Sequence, residues 1–478
     1  MADTGSRRWW ALGLIALAQF MVIMDTSIIG VALPEMQKDL GFSSGGLSWV
    51  FNAYVIALGG LLLLGGRLSD LFGARRLFTT GWVVTLAGSV VAALAGTAWV
   101  ELLGRVLQGG GAALIAPSAL TLLMMIFGSR PQELPKALAL YGAAAPAGGT
   151  AGVFLGGVIT EWLSWPWIFW LYVPISLVAI IATARLMPEV PAKRGSVDVL
   201  GAATVTAGLA LTVFAVVRAP QVGWGVFETL GPLTGGLLLL VLFVAVQRVR
   251  RVPLVRLGIF RTPNLGGANL AQFLLGAAWI PMWYFLNLYL QQVLGYGAFA
   301  SGAALLPMTV LIVVLMVAVA PKLIAKLGAK PMIVGGLGAL AAGLLWLSFA
   351  RPTGNFVVDV LPASLVAALG QALAFIPSLG RAISSAKPEE GGLAAGIVNT
   401  AYQVGSALGL AAMTAVGLSF GADRHDDPVV MTGGFSAAFL GAAGIAMVGG
   451  FLAMATLRTD RSAAEPSVPV GDKDAVAR

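Results

Sequence analysis

Polar positions along this chain of 478 residues are gathered into short breaks, and between the breaks lie long, nearly uncharged apolar runs. Lipid offers the peptide backbone no hydrogen-bond partner, so a run of about 20 apolar residues crosses a bilayer as a helix, which satisfies its own backbone. The runs place helices near 10–33, 46–65, 77–98, 100–127, 136–160, 165–187, 199–217, 229–247, 264–291, 298–320, 332–350, 356–382, 393–420 and 432–457. The first could be taken for a signal peptide, but it is longer than an h-region, contains Asp25 and lacks an evident small-residue cleavage site, so it is expected to be retained.

Composition then narrows the class. Hydrophobic residues make up 58% and charged residues 10%, against about 25% charged in a soluble domain, which excludes an ordinary soluble enzyme. With no cysteine and one histidine, His425 in a polar loop, neither thiolate nor histidine metal sites are expected. No phosphate-binding GxxxxGK[ST] loop occurs, so ATP drive is not expected either, and the chain is read as no enzyme and without cofactor. The sequence pI near 9.9 would suit nucleic acid, yet basic loops on one membrane face explain it without such a partner. If the N-terminus is cytoplasmic, 24 of the 29 Lys and Arg fall in segments on that side; outside loops hold only Lys38, Arg218, Arg351 and Arg424, and Arg105 lies within a helix. Both termini are therefore expected inside, and arginine's excess over lysine points to a GC-rich genome and a bacterial plasma membrane.

A loop rhythm recurs. "GGRLSDLFGARR" at 65–76 aligns with "APKLIAKLGAKP" at 320–331, pairing Arg67 with Lys322, Asp70 with Ala325, Gly73 with Gly328 and Arg75 with Lys330. Two parallel six-helix halves around a central site describe a transporter scaffold. The expected organisation is a bundle at 1–190, an additional helix pair and basic loop at 191–261, a second bundle at 262–460 and a tail at 461–478. The five arginines from 248 to 261 are expected to fix orientation and to touch anionic lipid headgroups.

Four stretches carry a family resemblance. The 65–76 loop resembles the GxLaDrxGrkxxl loop of the major facilitator superfamily, and fourteen helices point to its drug:proton antiporter branch. "MDTSIIGVALP" (24–34) is similar to that branch's first-helix signature, with its acid at Asp25. "LLGRVLQGGGAALIAP" (102–117) is similar to the fourth-helix motif, here Arg105, Gln108 and Gly109, and "NTAYQVGSALGLA" (399–411) resembles the branch's thirteenth helix. "GVFLGG" keeps Gly152, Gly156 and Gly157 of the fifth-helix antiporter motif but has Val153 in place of proline. Pro166 and Tyr402 stand where arginines are usual. The resemblance implies an all-α membrane protein of the major facilitator fold, two pseudo-symmetric six-helix bundles plus two extra helices, exporting drugs by alternating access with protons as the coupling ion. It also implies a cytoplasmic gate of Gly66, Arg67, Asp70, Gly73, Arg75 and Arg76, in which Asp70 bonds across to the start of the eleventh helix while Ala325 has lost the latch.

Intramembrane charges are costly and so mark function. Asp25 and Arg105 lie at similar depth, about 12 Å and 7.5 Å from their outer helix ends at 1.5 Å per residue. They are expected to form the proton-coupling pair or, alternatively, a static packing pair. Glu101 and Glu161, near outer helix ends, are expected on solvated faces. Aromatic and amide side chains within the spans, namely Gln19, Asn52, Tyr54, Gln272, Trp279, Trp283, Tyr284, Asn287, Gln371, Phe375, Asn399 and Gln403, form the candidate substrate set, since apolar walls with a few polar groups suit a drug-sized amphiphile. Helices nine to fourteen hold no acid away from their ends, so a neutral, weakly acidic or monocationic substrate is expected. Gly148, Gly152 and Gly156 have the spacing for close helix approach. A monomer is expected. A lipid translocase on the same scaffold, or a non-transporting membrane receptor or assembly subunit, stays open as an alternative.

Overall fold

The computed structural model describes residues 4–130, 132–189, 198–250, 253–255, 257–386 and 391–458; the side chains of Asp70 and Ala325 also lie outside the described set. The tail at 461–478 and the linker at 191–197 fall outside it as well. Fourteen helices long and apolar enough to cross a membrane are present, and no strand occurs among the described residues.

In chain order these are α1 (Thr4–Leu40), α2 (Ser44–Phe72), α3 (Ala74–Ala93), α4 (Ala98–Phe127), α5 (Leu134–Trp162), α6 (Pro166–Leu186), α7 (Val199–Val222), α8 (Phe227–Val249) and α9 (Leu265–Leu288). Then come α10 (Ala298–Val314), α11 (Ala320–Leu327), α12 (Ala329–Leu347), α13 (Leu361–Ser385), α14 (Gly391–Ser419) and α15 (Pro428–Thr456). A π-helical stretch, Leu315–Val319, joins α10 to α11 as one span. Two more, Tyr289–Val293 and Phe356–Val360, extend α9 and precede α13. The first helix outruns its expected end at 33. Pro34 removes one backbone donor, yet Leu33 and Met36 are fully buried on either side, and that packing carries the helix on.

The same pairing scheme occurs twice. In the first six helices α1 packs on α5, α4 and α6, α3 on α4 and α6, and α2 on α4; in the second set α9 packs on α14, α13 and α15, α12 on α13 and α15, and α10 on α13. The seams between halves swap partners, α2 against α14 and α5 against α10, as a twofold axis along the bundle requires. The turn glycines of the repeated loop also match. Gly73 (φ 90, ψ 133) and Gly328 (φ 80, ψ 168) each link two helices in a conformation closed to side chains.

The added helix α7 leans on both α2 and α14, and α8 packs chiefly on α7. Their base is tied by one carboxylate: Asp198 caps α7 by accepting from Gly201 N (2.9 Å) and accepts from Gln247 Nε2 (2.7 Å), while Gln247 Oε1 accepts from Val255 N (3.0 Å). This holds the α7–α8 hairpin and the start of the next loop together at the end of the bundle that bears the termini.

Candidate functional site

Charge inside the first half is concentrated at one point. Arg105 on α4 places Nη1 2.6 Å from Asp25 Oδ1 on α1, with both side chains almost wholly inaccessible. The pair is held from several directions. Arg105 Nε donates to Val50 O (3.0 Å) and Nη1 to Gln108 Oε1 (2.8 Å), and Gln108 Nε2 donates to Ser89 Oγ on α3 (2.9 Å). The guanidinium lies 4.6 Å from the centre of the Tyr54 ring and 6.0 Å from that of Phe169. The hydroxyls of Tyr54 and Tyr172 donate to Val22 O (3.1 Å) and Met21 O (3.3 Å), the carbonyls just before Asp25 on α1. A small cavity lined by Asp25, Tyr54, Trp82, Gln108 and Tyr172, among others, adjoins the pair.

Close backbone approach makes this convergence possible. A Cβ at Gly109 would strike Tyr54 O, so glycine there lets α4 reach α2. On α5, a Cβ at Gly148 would strike Phe20 O, and at Gly152 and Gly156 it would lie 2.7 Å from Met24 O and Ile28 O. The motif glycines thus seat α5 on the stretch of α1 that carries Asp25. Gly157 faces the other half, where a Cβ would lie 2.9 Å from Ala298 O of α10. Val153, in place of the family's proline, is fully buried, and its carbonyl faces Gly302 of α10.

The second half has a polar cluster without charge. Gln272 Nε2 on α9 donates to Phe375 O (2.9 Å), Gln371 Nε2 on α13 approaches Tyr402 Oη (3.5 Å), and the Phe375 and Tyr402 rings meet edge-on at 5.3 Å. Gln272 Oε1, Gln371 Oε1, Trp283 Nε1, Tyr284 Oη and Asn287 Oδ1 are buried with no hydrogen-bond partner among the described residues. Trp283 and Asn287 look across to the first half: a Cβ on Gly30 of α1 would lie 3.1 Å from Trp283 Nε1 and 3.2 Å from Asn287 Nδ2. Gln403 of α14 abuts Gly59 of α2 in the same seam.

Other expected residues take humbler places. Gln19 accepts from the Tyr141 hydroxyl of α5 (2.9 Å), Asn52 is fully buried with both amide atoms unpartnered among the described residues, Trp279 is buried, and Asn399 donates to Ala395 O of its own helix. The expected loop at 65–76 is helical except for its turn at Gly73: Gly66 lies uncrowded in the last turns of α2, while at the start of α3 Arg76 is exposed and Arg75 ties that helix to the end of α6 through Glu189 (3.1 Å) and Ala184 O (2.6 Å). Arg67 sits at the same end of α2; the Asp70 side chain lies outside the described residues, and with it the expected bond across to the eleventh span.

One expectation about the outer acids is corrected and the other holds. Glu101 is completely buried, not on a solvated face, because it stands on the face of α4 that carries the buried Gly104, Arg105 and Gln108, while Trp99 and Leu103 on the other face are exposed. Glu161 is exposed, as expected, and its Oε2 also accepts from Phe299 N (3.3 Å) at the start of α10. Tyr172 and Ser89, which complete the charged centre, gave no signal in the sequence, as neither a lone tyrosine nor a serine stands out in an apolar helix.

At the end away from the termini, bonds cross between halves: Gln291 Nε2 to Val31 O (3.0 Å), Gln292 Nε2 to Gln37 Oε1 (3.4 Å), Glu161 to Phe299 N, and Ser44 Oγ to His425 Nε2 (3.4 Å). At the end bearing the termini, the Arg8–Glu133 ion pair (2.7 Å), the Arg75–Glu189 pair and the bond from Arg381 to Arg458 O (3.1 Å) each stay within one half.

Known proteins share this design. The family model described as Major Facilitator Superfamily matches residues 15–410. The chain is 37% identical to the cephamycin export protein of Amycolatopsis lactamdurans, covering 91% of this chain and 89% of that one. It is 34% identical to the puromycin resistance protein of Streptomyces alboniger, covering 96% and 93%. Among solved structures, the nucleoside transporter NupG aligns with a TM-score of 0.65 at 14% identity over 94% of this chain and 99% of its own, a likeness of fold. With its fourteen spans, repeated six-helix packing and relatives named for antibiotic export and resistance, the chain belongs to the major facilitator superfamily, in its fourteen-span drug-efflux branch.

Proposed function

We propose that this multi-pass membrane protein is a proton-coupled exporter of small hydrophobic or amphiphilic antibiotics, dyes or related metabolites, acting by alternating access in a bacterial plasma membrane with both termini cytoplasmic. One observation carries the coupling: among the described residues, the only carboxylate–guanidinium pair buried deep within the spans, Asp25–Arg105, joins two helices of one half and lies beside a cavity.

The reading assigns a role to each part. With the far end closed by its cross-half bonds, substrate enters from the cytoplasmic end and reaches the seam between halves. There the amide oxygens of Gln272, Gln371 and Asn287 and the indole N–H of Trp283, unpartnered among the described residues, with Phe375 and Tyr402, offer hydrogen bonds and aromatic walls and no fixed charge, which favours a neutral, weakly acidic or monocationic molecule. Rocking of the halves along the α2–α14 and α5–α10 seams exposes the site outward. A proton then adds to Asp25, its carboxylate loses its charge, and the tie to Arg105 weakens. Release of that proton inside restores the pair. A pH difference of one unit is worth about 1.4 kcal/mol per proton, enough for about a tenfold gradient of a neutral substrate. The chain acts as a monomer in contact with anionic lipid.

In sealed vesicles holding the full chain, puromycin movement is expected to follow an imposed pH gradient, and Asp25→Asn to reduce that driven flux at least tenfold. Full gradient-driven flux in Asp25→Asn would contradict the assignment, and movement of labelled lipid without puromycin would favour a lipid translocase.

A further inference from the structure

Glu101 is not used by the mechanism above, and its setting is unusual. It lies in the first turn of α4 at the far end, one helical turn before Arg105, so the two side chains share a face. It is fully buried, and neither carboxyl oxygen has a hydrogen-bond or ion-pair partner among the described residues. Leaving a buried carboxyl group unbonded is costly, so packing alone does not account for a glutamate here when leucine would fill similar space.

The neighbouring charges are few. Asp25 on α1 already holds Arg105 at 2.6 Å. Tyr54 of α2 and Tyr172 of α6 spend their hydroxyls on carbonyls of α1. The only charged residues of α3, Arg75 and Arg76, sit at the opposite end, as do Arg67 and Asp70 of α2 and Lys136 of α5. At the far end of α1, Glu35 pairs with Lys38 and Asp39 accepts from Trp165 Nε1 (2.8 Å), and Glu161 of α5 engages Phe299 of α10. One guanidinium is thus flanked by two carboxyl groups, one bonded and one not.

We propose that Glu101 is the relay by which a proton from the far side reaches Asp25, an inference that rests on the proton-coupled reading above. The step balances with one proton and one cation. Glu101 takes a proton from water when the far end opens; its O–H bond then breaks as an O–H bond forms on Asp25, and Arg105 moves from the newly neutral Asp25 to the newly charged Glu101. The net charge of the three groups is the same before and after the transfer, so no uncompensated charge is buried at either stage. Glu101 lies between the far-end surface and the pair, which gives the proton its direction of entry.

Two fluxes in proteoliposomes of the full chain test this, with puromycin as the probe: flux driven by a pH gradient, and counterflow exchange at equal pH on both sides. For Glu101→Gln the ratio of driven flux to counterflow is expected to fall at least fivefold, the pH dependence of driven flux to shift, and Glu101→Asp to restore part of the ratio. An unchanged ratio in Glu101→Gln, or both fluxes lost together without recovery in Glu101→Asp, would overturn the relay. If the wild type ignores the pH gradient, the proton-coupled reading itself fails and the relay with it, an outcome recognised in the unaltered protein.

Discussion

At the scale of single residues, the centre of the molecule is a charge held by geometry. Arg105 distributes its donors among Asp25, Val50 O and Gln108, a fork that lysine lacks. Removing one member of a buried pair strands the other, at a cost of about 3–5 kcal/mol. Arg105→Ala is therefore expected to lower thermal stability in detergent sharply, Arg105→Lys to recover only part of it, and the double change with Asp25→Ala to be milder than Arg105→Ala alone; strictly additive losses would contradict the pairing. Asp25 and Arg105 were legible in the sequence because charge is rare inside apolar runs. Glu101 was misjudged because nearness to a helix end says nothing of what covers it, and Tyr172 was invisible because its role comes from the fold, which brings α6 against α1. The polar cluster of the second half was legible as residue types, but not which atoms stay unbonded.

At the scale of helices, the fourteen spans were readable almost to their ends, since run length decides them. The misses lie where packing overrides a local signal, as where α1 passes Pro34, and where π turns lengthen spans, for which no simple sequence rule exists. Helix α5 shows how spacing becomes contact. A Cβ on Gly152 would press on Met24 O, whereas a Cβ on Gly149, three positions back, would find its nearest neighbour, Ser27 Oγ, at an ordinary 3.7 Å. Gly152→Val is expected to cost several kcal/mol and most of the export activity, because a side chain there pries α5 from α1. Gly149→Ala is expected to be neutral or to stabilise by roughly 0.5–1 kcal/mol through helix propensity. Comparing the unfolding temperatures of the two variants checks this, and equal loss in both would refute the close-approach account.

At the scale of the whole molecule, two sets of six helices pack by one scheme and meet along swapped seams, with the added pair α7–α8 lying against one of them. The repeated loop foretold the halves, but not which end is closed, because that depends on contacts between segments far apart in sequence. The closed far end gives a direct prediction, aided by the absence of native cysteine. The side chains of Gln37 and Gln292 meet across the halves at 3.4 Å, so the pair Gln37→Cys and Gln292→Cys, bridged by a short reducible thiol cross-linker, is expected to stop export and to regain it on reduction; undiminished export by the cross-linked form would refute gating at that end. The central claim is that substrate and proton are exchanged through Asp25. Its most direct test is the pH change when puromycin is added to purified protein in weakly buffered detergent solution. The account predicts that the wild type releases protons as puromycin binds and that Asp25→Asn releases none; equal release from both, or none from a wild type that binds puromycin, would contradict it.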